Sequence, residues 1–488
     1  MLASRQSMSR HGKCQLAMPR VIDPIVRSIS SNKRQVMLLV CFVVVNAAIR
    51  FAAVPDASVI HGYDASSYLS PAKGMLAYGD YVRTEIPSVA DTFTVPLYPA
   101  LLAVNIFLFG EDAGLAAVIF LQLVALYATG LMTRGLVRPF YPKAAVFAQA
   151  IVVFNPNSLS TAHLIQTETV FTLLLTAAIF FLFRFGRTLE LRPALISAVF
   201  VGLAAYCRPV GLYLGAVIPF ACAIFGLGQA GNLFPWRRIA RAALVGAAAM
   251  TLVAAMAAPW VYRNYVAEGV PVFTSNLGPY LRDNLIQIYM KRHKISGIEA
   301  ADLFELRLSS YMESALDAGY EDLSEVEHRS IIGAFALREI ASQPLSAVLS
   351  AAVRSELLLF GAGGAGNFKN IFGLSGEAMH VIEYRRATGG PWSSIRQFLA
   401  AAPLPYLVLV VFTAGWATIL RLFGLIGLIG MLMGPHWRHA LVIVTIIGYF
   451  TATYLFLGQS RFRVPLEPLL AVLAVAGLSL LRTGRRRS

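Results

Sequence analysis

The sequence places two carboxylates next to long apolar segments, where ionisable residues are scarce. Asp64 lies shortly after the first apolar run, in the stretch "HGYDASSYLSPAKGMLAYGDY" that begins at His61. Glu168 lies in the first turns of another apolar segment, within "LIQTETVFTLLL". Ionisable residues in membrane segments are costly and normally face a cavity or a charged partner. These two residues are therefore the first candidates for chemistry.

The position of Asp64 allows two interpretations. A carboxylate near a membrane surface can take the proton from a hydroxyl nucleophile, as a general base does. An aspartate followed by Ala-Ser-Ser is also an ordinary N-cap of a helix, and the spacing alone favours neither role. Tyr68, in the same stretch, is a further candidate for substrate binding.

Glu168 has similar alternatives. It can form the wall of a site, bind a metal ion or accept a hydrogen bond from a substrate hydroxyl. It can also be half of a buried structural ion pair, with Arg208 as the partner. We favour the functional role, because an ionised carboxylate inside a membrane segment usually marks a site.

Several arginines lie near the predicted outer ends of spans, where basic residues are normally few. The candidates for substrate binding are Arg208 in "YCRPVG", Arg263 in "PWVYRN", and Arg461 and Arg463 in "SRFRVP". Their recurrence suggests an anionic partner at the outer leaflet, and a guanidinium suits a phosphate because it can hold two oxygens at once. The alternative is local pairing, for example of Arg463 with Glu467.

Composition indicates the kind of chain that carries these residues. Its 488 residues are 57% hydrophobic and only 14% charged, which is too apolar for an ordinary soluble protein. Apolar runs of about 18 or more residues recur, the length that crosses a bilayer core of about 30 Å. We predict an all-α polytopic membrane protein with about ten transmembrane helices and outer juxtamembrane helices.

The net charge of +15 does not indicate a nucleic-acid partner. Much of the excess lies in short basic segments beside apolar runs, such as "SSNKR", "RRIAR" and "RTGRRRS". Basic flanks of this kind mark the cytoplasmic ends of membrane spans. They place the N-terminus in the cytoplasm.

This topology divides the chain into four regions. They are a basic cytoplasmic tail (1–34), an N-terminal transmembrane region (35–258) with a catalytic outer loop (55–112), an extracytoplasmic helical region (259–402), and a C-terminal transmembrane region with a basic cytoplasmic tail (403–488). In the outer loop, "VPLYPALLAVNIFLFG" is too short for a full span and predicts a surface helix. A second short helix is predicted from Pro71 to Ala77, with Ser70 as N-cap. The "GAGGAG" run at 361–366 lacks the context of a dinucleotide site and predicts a flexible loop.

The order of several motifs resembles that of the GT-C glycosyltransferases. After the aspartate beyond the first span come "HLIQTETVF", "GLAAYCRPVGL", "APWVYRNYVAEGVPVFTSNLG" and "SRFRVPLEPLLAVLA". They look most like bacterial relatives of protein O-mannosyltransferases and of the lipid A aminoarabinose transferase. The resemblance covers about residues 35–285 and 404–481. It implies that Asp64 is the catalytic aspartate, although many members carry Asp-Glu where this chain has Asp64-Ala65.

The resemblance also implies the substrates. The donor would be a polyprenyl-phosphate-linked sugar, and the acceptor an envelope glycan, lipid or protein outside the cytoplasmic membrane. A divalent metal ion is left open as a cofactor. The predicted reaction is an inverting transfer in which Asp64 takes the acceptor proton while the outer arginines neutralise the leaving phosphate.

Two other functions fit parts of the sequence. A lipid or polysaccharide transporter or flippase would use the same charges as a substrate path. Such a protein commonly has broken helices in paired halves, and no internal repeat is visible here. A non-catalytic assembly factor with a large outer region is the third interpretation. The concentration of polar residues at the outer surface favours the enzyme.

Overall fold

A computed structural model describes residues 33–54, 64–227, 235–315, 323–374, 396, 398–400 and 402–484. The described residues divide into two compact units, with the boundary between Val45 and Asn46, and the candidate site lies within the second unit. Most of the predicted N-terminal tail, residues 55–63 of the predicted outer loop and the last four residues fall outside the described residues.

The first half of the described chain is helical apart from one hairpin. Its elements are α1 (Lys33–Ala52), α2 (Ala65–Tyr78), β1 (Val82–Arg83), β2 (Ile86–Ala90), α3 (Leu97–Phe109), α4 (Glu111–Val137), α5 (Ala145–Val153), α6 (Pro156–Ala162), α7 (Glu168–Thr188), α8 (Leu191–Cys207), α9 (Val210–Gly226) and α10 (Pro235–Glu268). The strands β1 and β2 pair antiparallel.

The second half continues as helices. Its elements are α11 (Leu277–His293), α12 (Gly297–Ala315), α13 (Glu325–Ser342), α14 (Leu345–Gly361), α15 (Ala365–Ile371), α16 (Leu404–Leu432), α17 (Trp437–Thr453), a 3₁₀ helix (Ser460–Leu466) and α18 (Glu467–Gly484). Helices α11 to α13 share an apolar cluster that includes the buried residues Leu285, Tyr289, Phe304 and Phe335.

Six segments of the described chain are long and apolar enough to cross a membrane. They are α1, α4, α7, residues Trp236–Glu268 of α10, α16, and Ser460–Arg482, which joins the 3₁₀ helix to α18. The pair α13 and α14, bent by 111°, would add a seventh. Six of the ten predicted spans fall on these segments, and the other four fall on the shorter helices α5, α8, α9 and α17. The predicted class, an all-α polytopic membrane protein, is confirmed.

Helix α2 differs from its prediction and matters for the site. It starts directly after Asp64 and not at Pro71, so the predicted N-cap Ser70 lies inside the helix. The extra turn forms because Ala65 and Leu69 are buried in a cluster that includes Tyr98. The helix ends at Tyr78, one residue beyond the predicted Ala77, and Gly79 follows with φ of 71° and donates its N–H to the Met75 carbonyl.

Two further differences concern loops and boundaries. Residues 361–366, predicted to be a flexible loop, form the end of α14, a tight turn and the start of α15. A Cβ atom added at Gly363 would overlap the backbone of Thr413 in α16, so the turn is packed closely. Helix α10 continues through Pro259 to Glu268, past the predicted boundary at residue 258.

Helices α16 and α18 approach each other through small residues. A Cβ atom at Gly427 would overlap the Leu473 carbonyl oxygen of the neighbouring helix. Small residues at such crossings let two membrane helices pack backbone to backbone.

We therefore expect Gly427→Ala to destabilise the protein by about 1–3 kcal/mol, because the two helices must separate to accept the methyl group. Gly415→Ala, in the same helix, is the matched control, since a Cβ atom there meets open space. Thermal unfolding of both variants in detergent tests the prediction. Equal melting temperatures would contradict the close approach.

Candidate active site

Asp64 meets an arginine from the far end of the chain. Its Oδ2 accepts a hydrogen bond from Nη1 of Arg461 at 2.7 Å, across 397 positions of sequence. Asp64 stands at the N-cap position of α2, yet its side chain makes no capping hydrogen bond. The carboxylate is 39% exposed. The Asp64 side chain therefore forms a solvent-accessible ion pair and does not cap the helix.

Glu168 forms a second, deeper ion pair. Its Oε1 lies 2.7 Å from Nη1 of Arg208, and the two side chains are 2% and 13% exposed. Arg208 Nη1 also donates to Oγ1 of Thr167 at 3.1 Å. Glu168 is the first residue of α7, where the helix dipole favours a negative charge. Arg208 ends α8 in an extended conformation, which the following Pro209 favours.

An aromatic ring connects the two ion pairs. The guanidinium groups of Arg461 and Arg208 lie 4.8 Å and 5.7 Å from the ring centroid of Phe462. This ring stacks on Tyr454 with centroids 4.4 Å apart and planes 3° apart. Arg461 is also close enough to interact electrostatically with Glu168. The carboxylates singled out in the sequence therefore lie in one cluster with two guanidinium groups.

Tyr68 points its ring into the same neighbourhood. It packs edge-on against Tyr98 with centroids 5.3 Å apart, and its hydroxyl interacts with Thr167. Burial raises the pKa of Tyr68 above its usual value, so this hydroxyl stays neutral beside the charged groups. The phenol of Tyr98 donates to Oε1 of Gln122 at 2.8 Å.

The loop that leads into α7 is held in place by hydrogen bonds from Gln122. The amide of Gln122 donates to the carbonyls of Ala162 and Leu164 at 3.1 Å and 2.8 Å. A glutamine inside the α4 span thus fixes the loop that presents Thr167 and Glu168. Buried amide groups need such partners, and here they determine where the carboxylate lies.

The other two arginines have different surroundings. Arg263 donates to the carbonyls of Tyr81 and Asp91, both at 2.8 Å, and so holds the hairpin. Arg463 is 1% exposed, and its Nε donates to Oε1 of Glu467 at 2.7 Å. Its remaining nitrogens donate to the carbonyls of Leu359 and Ala362.

These contacts separate the four predicted arginines into two groups. Arg208 and Arg461 lie beside the candidate carboxylates, whereas Arg263 and Arg463 hold backbone carbonyls. The pairings weighed as alternatives, Arg208 with Glu168 and Arg463 with Glu467, are both present. Direct substrate contact by Arg263 or Arg463 stays a prediction, and the described contacts favour a positioning role instead.

Sequence reasoning missed the contribution of α11. Asp283 on this helix lies close enough to Asp64 for the two carboxylates to repel each other. The Asp283 side chain is 53% exposed, and its pKa is raised because partial desolvation and the Asp64 carboxylate outweigh the opposing effect of Arg282. Nothing in the local pattern of "YLRDNL" marks this residue, because the contact depends on packing between distant segments.

A divalent metal ion as cofactor stays a prediction, and the described residues offer it no ready set of ligands. The described residues contain no group of three His, Cys, Asp or Glu side chains able to hold one. Asp64 and Glu168 each already bind a guanidinium. His163, the histidine nearest Glu168 in sequence, contacts Oδ1 of Asn46 through Nε2 at 2.9 Å. Burial, with Arg50 nearby, lowers the pKa of His163 to about 4.

Comparison with known proteins identifies solved structures of similar fold. No protein-family model matches the sequence, and no curated protein matches it. The archaeal oligosaccharyltransferase AglB from Archaeoglobus fulgidus, solved with an inhibitory peptide and a dolichol-phosphate, is similar with a TM-score of 0.51 and 15% identity over 93% of this chain and 50% of that one. An Archaeoglobus fulgidus oligosaccharyltransferase in its apo form is similar with a TM-score of 0.50 and 16% identity over 91% of this chain and 50% of that one.

A third structure, ArnT from Cupriavidus metallidurans bound to undecaprenyl phosphate, has a TM-score of 0.37 and 16% identity over 91% of this chain and 77% of that one. The chain spans about half the length of the oligosaccharyltransferases it matches. Its fold is similar to that of the archaeal oligosaccharyltransferase, in agreement with the fold that the sequence resemblance predicted.

A second charged cluster lies beside the candidate site and offers a test of buried pairing. Glu467 is 1% exposed and accepts from Arg463, from Nη2 of Arg421 at 3.0 Å, and from Nδ2 of Asn155 at 3.0 Å. Its single negative charge is shared by two guanidinium groups.

We expect Glu467→Gln to destabilise the protein by about 3–5 kcal/mol, because it leaves the buried Arg463 and the partly buried Arg421 without a counter-charge. The control is Glu111→Gln, which removes a pair with Lys73 at the surface, where the side chains are 52% and 42% exposed. That change should cost about 1 kcal/mol or less. Thermal unfolding in detergent measures both, and similar losses would show that the Glu467 cluster is not needed for stability.

Proposed function

We propose that this chain is a membrane glycosyltransferase that moves a sugar from a polyprenyl-phosphate donor to an acceptor hydroxyl. The observation that carries the proposal is the half-exposed carboxylate of Asp64, bound to Arg461 and adjacent to a buried second guanidinium. A base beside fixed positive charge suits a reaction that removes a proton and releases a phosphate. The GT-C fold and the dolichol-phosphate bound to AglB support the choice of donor.

The proposed step is a single displacement. The acceptor oxygen attacks the anomeric carbon of the sugar while its proton passes to Asp64. The bond between the anomeric carbon and the phosphate oxygen breaks, and its electron pair stays on the phosphate. Attack from the opposite side inverts the anomeric centre. A lipid phosphate leaves without a strong general acid, provided that its growing negative charge is stabilised.

The other residues receive roles that follow from their contacts. Arg461 and Arg208 stabilise the leaving phosphate, since guanidinium groups bind phosphate oxygens in pairs. Glu168 holds Arg208 in place and keeps the buried cluster neutral. The neutral hydroxyl of Tyr68 is a hydrogen-bond donor or acceptor for a sugar hydroxyl. Arg263 and Arg463 position the hairpin and the 3₁₀ helix.

The location of the reaction follows from the topology. We place the protein in the cytoplasmic membrane with the Asp64 cluster on the extracytoplasmic side, because the basic loops "TRGLVRPFYPK", "RFGRTLELRP" and "PWRRIAR" mark the opposite side. The acceptor is then an envelope glycan, lipid or protein. The lipid tail of the donor would remain in the bilayer throughout.

We expect Asp64→Asn to reduce transfer by at least about a hundredfold, because the amide cannot take the acceptor proton. The cell envelope of a strain lacking the gene, complemented with wild type or variant, is analysed by mass spectrometry for the molecule that loses a sugar. Glu111→Gln, an exposed acid outside the cluster, should restore the sugar fully. If Asp64→Asn is inserted normally and also restores it fully, Asp64 is not the base.

A further inference from the structure

The charges of the cluster are balanced before any donor binds. Two carboxylates, Asp64 and Glu168, face two guanidinium groups, Arg461 and Arg208. A phosphate that enters such a neutral cluster gains little electrostatic binding free energy unless one guanidinium leaves its carboxylate. The question is therefore which of the two ion pairs can open.

The two pairs differ in burial, and burial determines the cost of opening. The Glu168–Arg208 pair is nearly enclosed and is also held by Thr167. Separating a buried pair costs several kcal/mol, because each charge is left without a partner in a poorly solvated place. Asp64 is 39% exposed, so water can take over its solvation when Arg461 departs. The Asp64–Arg461 pair is the one that can open.

Arg461 also has unused donor capacity. Its Nε is buried and meets no hydrogen-bond acceptor among the described residues, while its Nη1 binds Asp64. Nε and Nη2 form the fork that offers two parallel N–H donors to phosphate oxygens, so a phosphate can engage Arg461 on that edge before Nη1 leaves Asp64. The ring of Phe462 supports the guanidinium at 4.8 Å and keeps it near the cluster when its partner changes.

We propose that Arg461 exchanges Asp64 for the donor phosphate, so that Asp64 is released as a base only when the donor is bound. This inference rests on the proposed function and adds an order of events to it. In the free protein Arg461 occupies the carboxylate. Phosphate binding draws the guanidinium away and leaves the carboxylate open to the acceptor hydroxyl. The donor therefore binds first, and Arg461 couples its presence to the activity of the base.

The exchange makes a prediction that is opposite to that of a merely structural ion pair. If Asp64 and the phosphate compete for Arg461, removing the carboxylate charge must strengthen phosphate binding. We expect Asp64→Asn to bind undecaprenyl phosphate about two- to fivefold more tightly than wild type, as the loss of a competing, partly exposed ion pair implies. Arg461→Gln should bind about tenfold more weakly or worse, because it loses a charge-assisted contact.

The experiment measures binding of undecaprenyl phosphate to the purified full chain in nanodiscs. Arg461→Lys keeps the charge and should fall between wild type and Arg461→Gln, because it lacks the fork. Glu111→Gln is the control and should bind like wild type. Inorganic phosphate is tested in parallel. A gain for Asp64→Asn with both ligands, or with the lipid alone, supports the exchange and shows whether the phosphate group needs its membrane anchor.

A second measurement covers the case in which a single variant is unstable. The melting temperatures of Asp64→Asn, Arg461→Gln and the double variant should be non-additive in the free protein and additive with saturating undecaprenyl phosphate. Equal or weaker lipid binding by Asp64→Asn, with wild type binding normally, would overturn the exchange and leave the proposed function standing. If wild type binds no undecaprenyl phosphate, both the exchange and the proposed function fail.

Discussion

One constraint determines much of this structure: a carboxylate at the end of an apolar helix must have a positively charged partner. Glu168 and Glu467 occupy equivalent places, each as the first residue of a membrane-length segment or of its α-helical part. The positive end of a helix dipole supplies part of the stabilisation that a carboxylate needs. A guanidinium supplies the rest, from Arg208 in one case and from Arg463 and Arg421 in the other. Each acid therefore fixes the position of a distant segment.

The 3₁₀ helix places the two arginines of "SRFRVP" in different clusters, one around Asp64 and the other around Glu467. A 3₁₀ helix turns about 120° per residue, so side chains two positions apart point to different sides. Arg461 reaches Asp64, whereas Arg463 enters the core toward Glu467. Phe462, between them, supports the Arg461 and Arg208 guanidinium groups. Anchoring by Arg463 thus sets the position from which Arg461 acts.

The sequence predicted features whose cause is local. Long apolar runs predicted the spans, and the cost of an ionised acid in such a run marked Glu168 and its possible partner Arg208. The sequence could not rank the arginines, because Arg461 and Arg463 have the same charge and nearly the same neighbours. Their difference arises from a backbone turn and from acceptors about a hundred positions away, at Leu359 and Ala362.

Features that depend on long-range packing were predicted poorly or missed. The start of α2 was misplaced because Ser70 and Pro71 carry a good capping signal, whereas the burial of Ala65 and Leu69 extends the helix. The approach of Asp283 to Asp64 has no local signal at all. It depends on how α11 packs in the folded chain, which the residues around Asp283 do not encode.

The place of the cluster along the helices explains how so many charges are tolerated. Glu168 begins α7, Arg208 ends α8, and Arg461 precedes α18, so each charge lies at a helix terminus. Ionisable groups near the ends of spans can reach water or interfacial partners, which lowers the cost of their charge. Asp64 comes from the chain that follows α1 and stays partly exposed. The proposed sugar transfer needs such a boundary, because the lipid tail of the donor lies in the bilayer while its sugar must meet the acceptor hydroxyl outside it.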